Sequence, residues 1–233
     1  MINMVIMASS STYTDDAIVL MQKDWSQADK IITLFTRDHG LVRAAAYGSR
    51  RSRSPLAGIQ LFGEIKVTLA EGGSDSHLDT IRQYTSLDRH RTISENIERL
   101  AYGSLITEIA AHLSPDHVPD ERVYDALTDI LLSLAERNPQ LVALSAIVQL
   151  LSLTGWGEII SEDAAGSNEA PAPPPEQAEL LTILAGLDWK NPPAFTARRS
   201  QIAACEAFVM DTLARRTGCR PRSLAFIRQL RGY

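Results

Sequence analysis

Three arginines stand within four residues, Arg50, Arg51 and Arg53, with Arg43 and Arg37 upstream on the same stretch of chain. Guanidinium groups at this density suit phosphate, because neutralising a nucleic-acid backbone releases its condensed counter-ions and that release dominates affinity. In a chain whose formal net charge is −5 such a loop is a local anion anchor rather than a reflection of overall composition. The competing reading of the same residues is a solvated loop.

Catalytic chemistry finds less support. No phosphate-binding GxxxxGK[ST] run is present, and Gly72-Gly73 is an isolated turn signal. His39, His77, His90, His112 and His117 fall in different predicted elements, without an HExxH or Cys-His pairing. His112 and His117 can face one another near a helix end, but no further ligand stands at metal spacing. Asp15-Asp16, and Asp116, Asp120 and Glu121, read as helix caps and first-turn acids rather than a two-metal cluster. The two cysteines, Cys205 and Cys219, are too few for a disulfide framework or a four-ligand zinc site. The expectation is a binding protein, not an enzyme, with no metal and no cofactor. A metal-dependent nuclease ranks behind it.

The elements that must carry the basic loop follow from periodicity. Between Ser11 and Leu87 the apolar residues come in short segments, Ala17–Met21, Lys30–Phe35, Leu41–Ala46, Gly58–Ala70 and Ser76–Tyr84. Gly40, Gly48, Pro55, Gly58, Gly63 and the cluster Glu71–Asp75 punctuate them. Five short strands in so small a segment suit a closed barrel of the OB type. After Leu87 the period turns helical: Ile93, Ile97, Leu100, Ile106 and Ile109, then Val123, Leu127, Ile130 and Leu134, then Leu141, Leu144, Val148 and Leu151. Pro119-Asp120-Glu121 is a helix start, and Asn138-Pro139 separates two helices. Ser161–Gln177, with four prolines and no apolar periodicity, is a mobile connector. Helices resume over Ala178–Leu187 and Ser200–Arg216, the second placing Cys205 on an apolar stripe, whereas Cys219 at a helix end is expected to be the more exposed cysteine. The fold class is α+β: an N-terminal OB-fold barrel over residues 12–86, followed by an all-helical domain over residues 88–233.

Charge is segregated along the chain. Residues 1–99 balance to 0, residues 100–197 to −11 and residues 198–233 to +6. An acidic middle beside a basic tail argues for distinct faces. The tail is a second candidate anion site; the alternative is a helix whose arginines are solvated or paired with the acidic middle. No apolar run reaches the roughly 18–20 residues of a membrane span, and Met1–Ser11 lacks the basic start of a secretory signal. A cytoplasmic location is expected, with no membrane partner.

The order of these features resembles the RecO family of bacterial recombination mediators. Val19-Leu20, the turn Trp25–Asp29, Leu34-Phe35-Thr36 with Gly40, the basic loop after Tyr47-Gly48, and Ile59-Gln60-Leu61-Phe62 follow the family's opening landmarks, with Leu61 where proline is usual. Leu78–Leu87 is similar to its closing strand, Leu100–Leu113 to a helix with Tyr102 and Glu108, and Leu150–Gly157 to its "LL...GY" segment. Arg220–Leu230 is similar to its terminal segment. Many relatives carry zinc-binding cysteines after the "GY" position; this chain has none there.

The resemblance implies a DNA repair protein that binds single- and double-stranded DNA, anneals complementary strands and helps load recombinase onto strands coated by single-strand-binding protein. Joined to the basic loop, it implies a DNA surface of Lys23, Arg37, Arg43, Arg50, Arg51, Arg53, Lys66 and Arg82, with Tyr47, Phe62 and Tyr84 as barrel aromatics for base stacking, Phe62 being the one best suited to the core. It also implies three partners: RecR, the acidic C-terminal tail of single-strand-binding protein, and indirectly RecA, at the bacterial nucleoid. The tail-binding residues would be Arg215, Arg216, Arg220, Arg222 and Arg228 beside Leu224 and Ile227; Gln140–Thr154 contains no lysine or arginine to help them. The competing function is a protein-interaction adaptor that binds no DNA, which the neutral balance of residues 1–99 keeps open.

Overall fold

Strand-forming alternation over the first third of the chain closes into a barrel in the computed structural model, which describes residues 11–73, 78–87, 91–157, 173–192 and 195–232. The strands are β1 (Thr12–Asp24), β2 (Lys30–Thr36), β3 (Gly40–Ala46), β4 (Glu64–Ala70) and β5 (Asp79–Ser86), in the closed order β1-β2-β3-β5-β4. Neighbours are antiparallel except β3 and β5, which run parallel through Ala44 opposite Asp79 and Ala45 opposite Thr80. This is the five-stranded OB arrangement. Ala17, Val19, Ile32, Leu34, Val42, Ala44, Ile65, Val67, Leu69 and Ile81 fill its interior, small alanines facing larger branched residues as a narrow barrel requires.

The starts of β1 and β4 differ most from the sequence expectation, while β1 also runs on to Asp24 and β5 to Ser86. β1 begins at Thr12 rather than Ala17, because its polar first half is held by a ladder to β4, from Thr12 opposite Ala70 to Ile18 opposite Glu64, before its second half pairs with β2. β4 begins at Glu64 rather than Gly58. Residues 58–63 turn instead, with Phe62 in the left-handed region at φ 64° and its N–H donating to Val19 O at 2.9 Å. Ser76 and His77 lie outside the described residues.

Residues alternating to the outer wall of the barrel, Ile18, Leu20, Phe35 and Leu41, join Phe62 in a second core that is continuous with the helices. A 3-10 turn (Arg91–Glu95) leads into α1 (Ile97–Leu113), followed by α2 (Glu121–Glu136), α3 (Pro139–Leu153), α4 (Pro175–Ala185), α5 (Arg199–Thr217) and α6 (Ser223–Arg231). Side chains of Asn96, Asp120 and Asn138 accept N–H groups of the first turns of α1, α2 and α3. Pro175, inside the expected connector, opens α4; residues 158–172 of that stretch lie outside the described residues. Gly103 on α1 makes room for the Phe62 ring, since a Cβ there would stand 2.8 Å from its Cζ.

Polar contacts complete the junction. The Arg37 guanidinium reaches Glu121 (2.5 Å) and Asp125 (2.7 Å) on α2 and lies 4.4 Å over the Tyr124 ring. Arg43 pairs with Asp116 at 2.6 Å, and His117 N–H donates to Leu41 O at 3.0 Å. Cys205 is buried as expected; Cys219 is buried too, 4% exposed, because α6 folds back on α1 and Ser223 Oγ donates to Glu108 at 2.9 Å. Burial and the nearby Glu108 carboxylate push the Cys219 thiol up to about 11.

Candidate nucleic-acid interface

The β1–β2 loop and the connection after β3 meet at one end of the barrel, and a single carboxylate joins them. Asp29 Oδ1 accepts the Gly48 N–H at 2.8 Å and its Oδ2 accepts the Ser26 hydroxyl at 2.7 Å. The Gly48 N–H, then the Ser26 hydroxyl, with Arg51 nearby, hold this carboxyl below the usual carboxylate range. Gly48 sits at φ 69°, a left-handed turn residue for which glycine is the natural choice. Arg50 adds a second tie, its N–H donating to Ala28 O at 3.0 Å and its guanidinium to Ser26 O at 2.8 Å, with Asp24 at 3.3 Å.

Successive turn bonds, Arg51 N–H to Gly48 O at 2.9 Å and Ser54 N–H to Arg51 O at 3.0 Å, give the arginine loop a fixed course. Arg51 and Arg53 are exposed on it, and Lys23 is exposed at the end of β1. Trp25 and Tyr47 stand on the same two loops, 51% and 53% exposed, with ring centroids 6.1 Å apart. The cluster therefore offers cations, an aromatic surface and a braced backbone together, which is what phosphate contact and base stacking require.

The remaining expected DNA residues lie elsewhere. Arg37 and Arg43 are committed to carboxylates at the domain junction, which their sequence position, more than seventy residues from those partners, could not reveal. Lys66 and Arg82 are exposed on β4 and β5 rather than on the loop cluster. Phe62 is fully buried, and Tyr84 packs on the barrel interior over Gly58, where a Cβ would stand 2.6 Å from its hydroxyl. Sequence reasoning missed Trp25 as a stacking residue. Its signal was a large ring in a short polar turn, Trp25-Ser26-Gln27-Ala28-Asp29, with no apolar neighbour to cover it.

At the far end of the chain, α5 and α6 enclose an open groove of about 580 Å³, with Met210 and Leu224 along it and Arg220 and Arg228 at its sides. Arg222 and Arg228 are exposed, Arg216 stands in the last turn of α5, and Arg215 bonds Asp211 one turn earlier on that helix. Ile227, expected as a partner contact, points into the core at 2% exposure because α6 packs that face on α1; it can serve only as groove floor. Glu206, on α5, receives Arg231 at 3.0 Å and Gln140 at 2.7 Å.

His112 faces Thr217 O at 3.0 Å, while His117 bonds β3 through its backbone, so the two do not share a ligand site. Among the described residues no group of three His, Cys, Asp or Glu side chains is placed to hold a metal ion, and no helix is long and apolar enough to cross a membrane.

Comparison with known proteins agrees with the architecture on both sides of the junction. Residues 7–89 match the family description "Recombination protein O N terminal" and residues 94–225 match "Recombination protein O C terminal". Proteins named DNA repair protein RecO are similar over much of the chain. The one from Pelotomaculum thermopropionicum is 31% identical over 149 residues, 64% of this chain and 57% of that protein. The one from Bifidobacterium animalis subsp. lactis is 38% identical over 149 residues, 62% of this chain and 61% of that protein. A third, from Symbiobacterium thermophilum, is 33% identical over 147 residues, 62% of this chain and 57% of that protein. The matched part thus spans between half and two thirds of those relatives' length. With a five-stranded barrel inside the first matched region and helices filling the second, this chain belongs to the RecO (recombination protein O) family.

Proposed function

We propose that the chain works as a DNA-annealing recombination mediator whose principal DNA contact is the loop cluster of Trp25, Tyr47, Arg50, Arg51 and Arg53. The observation that carries this reading is the Asp29 brace, which fixes a basic loop beside two half-exposed rings on an OB barrel. Arginines that grip phosphate leave base edges free to pair, so complementary strands held this way anneal without nucleotide hydrolysis or a metal. The chain acts by binding rather than catalysis. Lys23, Lys66 and Arg82 extend the positive surface along the barrel.

The groove between α5 and α6 is the place we assign to the acidic tail of single-strand-binding protein, with Arg220 and Arg228 of its lining for carboxylates, Leu224 for apolar contact and exposed Arg222 outside that lining. Tethering there would deliver the barrel to coated single strands at the nucleoid, where RecR joins and RecA is loaded in turn.

The test is single-stranded DNA binding by fluorescence anisotropy across a salt series, for the intact chain and for Arg50→Ala/Arg51→Ala/Arg53→Ala. Each phosphate contact on a single strand contributes about 0.7 to the slope of log affinity against log salt. With Arg50 partly tied to Ser26 and Asp24, the slope should flatten by about 1.4 to 2. An unchanged slope moves the contact to the C-terminal arginines. No binding at low salt leaves the protein-interaction adaptor.

A further inference from the structure

We infer that Trp25 and Tyr47 form a stacking platform for an unpaired nucleobase, so that the loop cluster selects single-stranded DNA over closed duplex. The inference rests on the DNA reading of that cluster and specifies which form of DNA it takes.

Two large rings from different loops stand more than half exposed and 6.1 Å apart, while the other barrel aromatics on or beside β2 and β4, Phe35 and Phe62, are 1% and 0% exposed. Leaving such surface in water forgoes the stabilisation that burial would give, so its retention points to a use. The rings do not ride on slack loops. Asp29 receives N–H and O–H groups from both loops and Arg50 bonds back to Ala28 and Ser26, so the rings face solvent at a fixed separation before any ligand arrives.

Geometry selects the mode of contact. A base inserted between two rings needs their planes parallel and far enough apart to admit its thickness. Here the planes are inclined by 48°, which makes a wedge rather than a slot. A base therefore stacks on an outward ring face while Arg51 and Arg53 take the adjoining phosphates. In closed duplex every base has neighbours on both faces, and it can reach the rings only by unstacking. Because each of the four bases has a π face, the platform discriminates strandedness without reading sequence.

The experiment compares the full-length chain on a thymine oligonucleotide, an abasic phosphodiester of equal length and charge, and a relaxed, covalently closed circular duplex, which offers no unpaired base and should be bound less tightly per phosphate than the thymine strand. Stacking of this kind changes affinity by roughly five- to 150-fold per base. The intact protein should therefore bind the thymine strand more tightly than the abasic one by a factor in that range, and Trp25→Ala or Tyr47→Ala should erase most of the preference without changing the salt slope. Thymine strand should also quench tryptophan emission in the intact protein but not in Trp25→Phe, which keeps Trp156 and Trp189. Equal affinity of the intact protein for thymine and abasic strands overturns the inference, whether or not the variants fold. If the arginine-dependent salt slope persists in that case, DNA binding at the cluster stands and only stacking falls. Loss of all binding at low salt removes both.

Discussion

Replacing Arg37 with alanine should loosen the junction between barrel and helices and leave DNA contact untouched. The side chain is 34% exposed, and its partners Glu121 and Asp125 are 71% and 56% exposed, so each ion pair is a surface pair contributing about 0.2–1 kcal/mol. The guanidinium over the Tyr124 ring contributes roughly another 0.5–1 kcal/mol. Glu121 stays favourable without its partner, as an acid in the first turn of α2. Together these terms predict a loss of about 1–3 kcal/mol, which lowers the melting temperature of a chain this size by roughly 2–12 °C.

Urea denaturation of Arg37→Ala and of the intact chain, at low salt and near 1 M, measures that loss and its origin. At about 1 M the screening length falls to roughly 3 Å, so the ion-pair share should shrink and the cation–π share remain. The same proteins then go into the anisotropy salt series. An unchanged slope against single-stranded DNA is expected, because Arg37 faces α2 rather than the loop cluster. A slope lowered by about 0.7 together with unchanged stability would show that Arg37 meets phosphate, and would refute the clamp.

Two other positions give sharp outcomes. Gly40 sits at φ 69°, and a Cβ on it would stand 2.1 Å from Val118 O, a backbone atom of the loop before α2. Gly40→Ala should therefore cost about 2–4 kcal/mol in a urea melt, and a loss below about 1 kcal/mol would mean that this loop does not press on the barrel. Asp29 has its carboxyl held below the ordinary range by Gly48 and Ser26, so the stability it contributes is present above the usual carboxylate value of about 3.9 and is lost as pH falls through the depressed value. Trp25 emission should hold steady from neutral pH down to about 4 and change only below that. Asp29→Asn should abolish the acid step and weaken oligonucleotide binding; an acid step that survives the substitution would place its origin elsewhere.

What was legible in the sequence follows the kind of force that holds each element. β2, β3 and the interior half of β1 announce themselves by burial, since Ile32 and Leu34, Val42 and Ala44, Ala17 and Val19 must all face one core. The first half of β1 leaves no such trace, because Thr12, Thr14 and Asp16 are held by hydrogen bonds to β4 and not by apolar contact. Leu61-Phe62 misleads in the opposite direction: apolar like a strand, it is a left-handed turn that delivers Phe62 to Gly103.

The arginines were readable as charge but not as partners, and here the acidic middle of the chain decides the outcome. Its carboxylates reach back to the barrel, Glu121 and Asp125 to Arg37 and Asp116 to Arg43, whereas the tail arginines Arg215 and Arg231 pair with Asp211 and Glu206 of their own basic segment. A barrel segment that balances to zero on paper thus commits two of its cations to the junction. The exposed positive charge left to it is concentrated where Asp29 braces the loops, beside Trp25 and Tyr47. A segment of neutral composition can therefore still present a local excess of positive charge: Arg37 and Arg43 are used in docking the barrel to the helices, Lys66 and Arg82 stand apart on β4 and β5, and Lys23, Arg50, Arg51 and Arg53 are left together at one end.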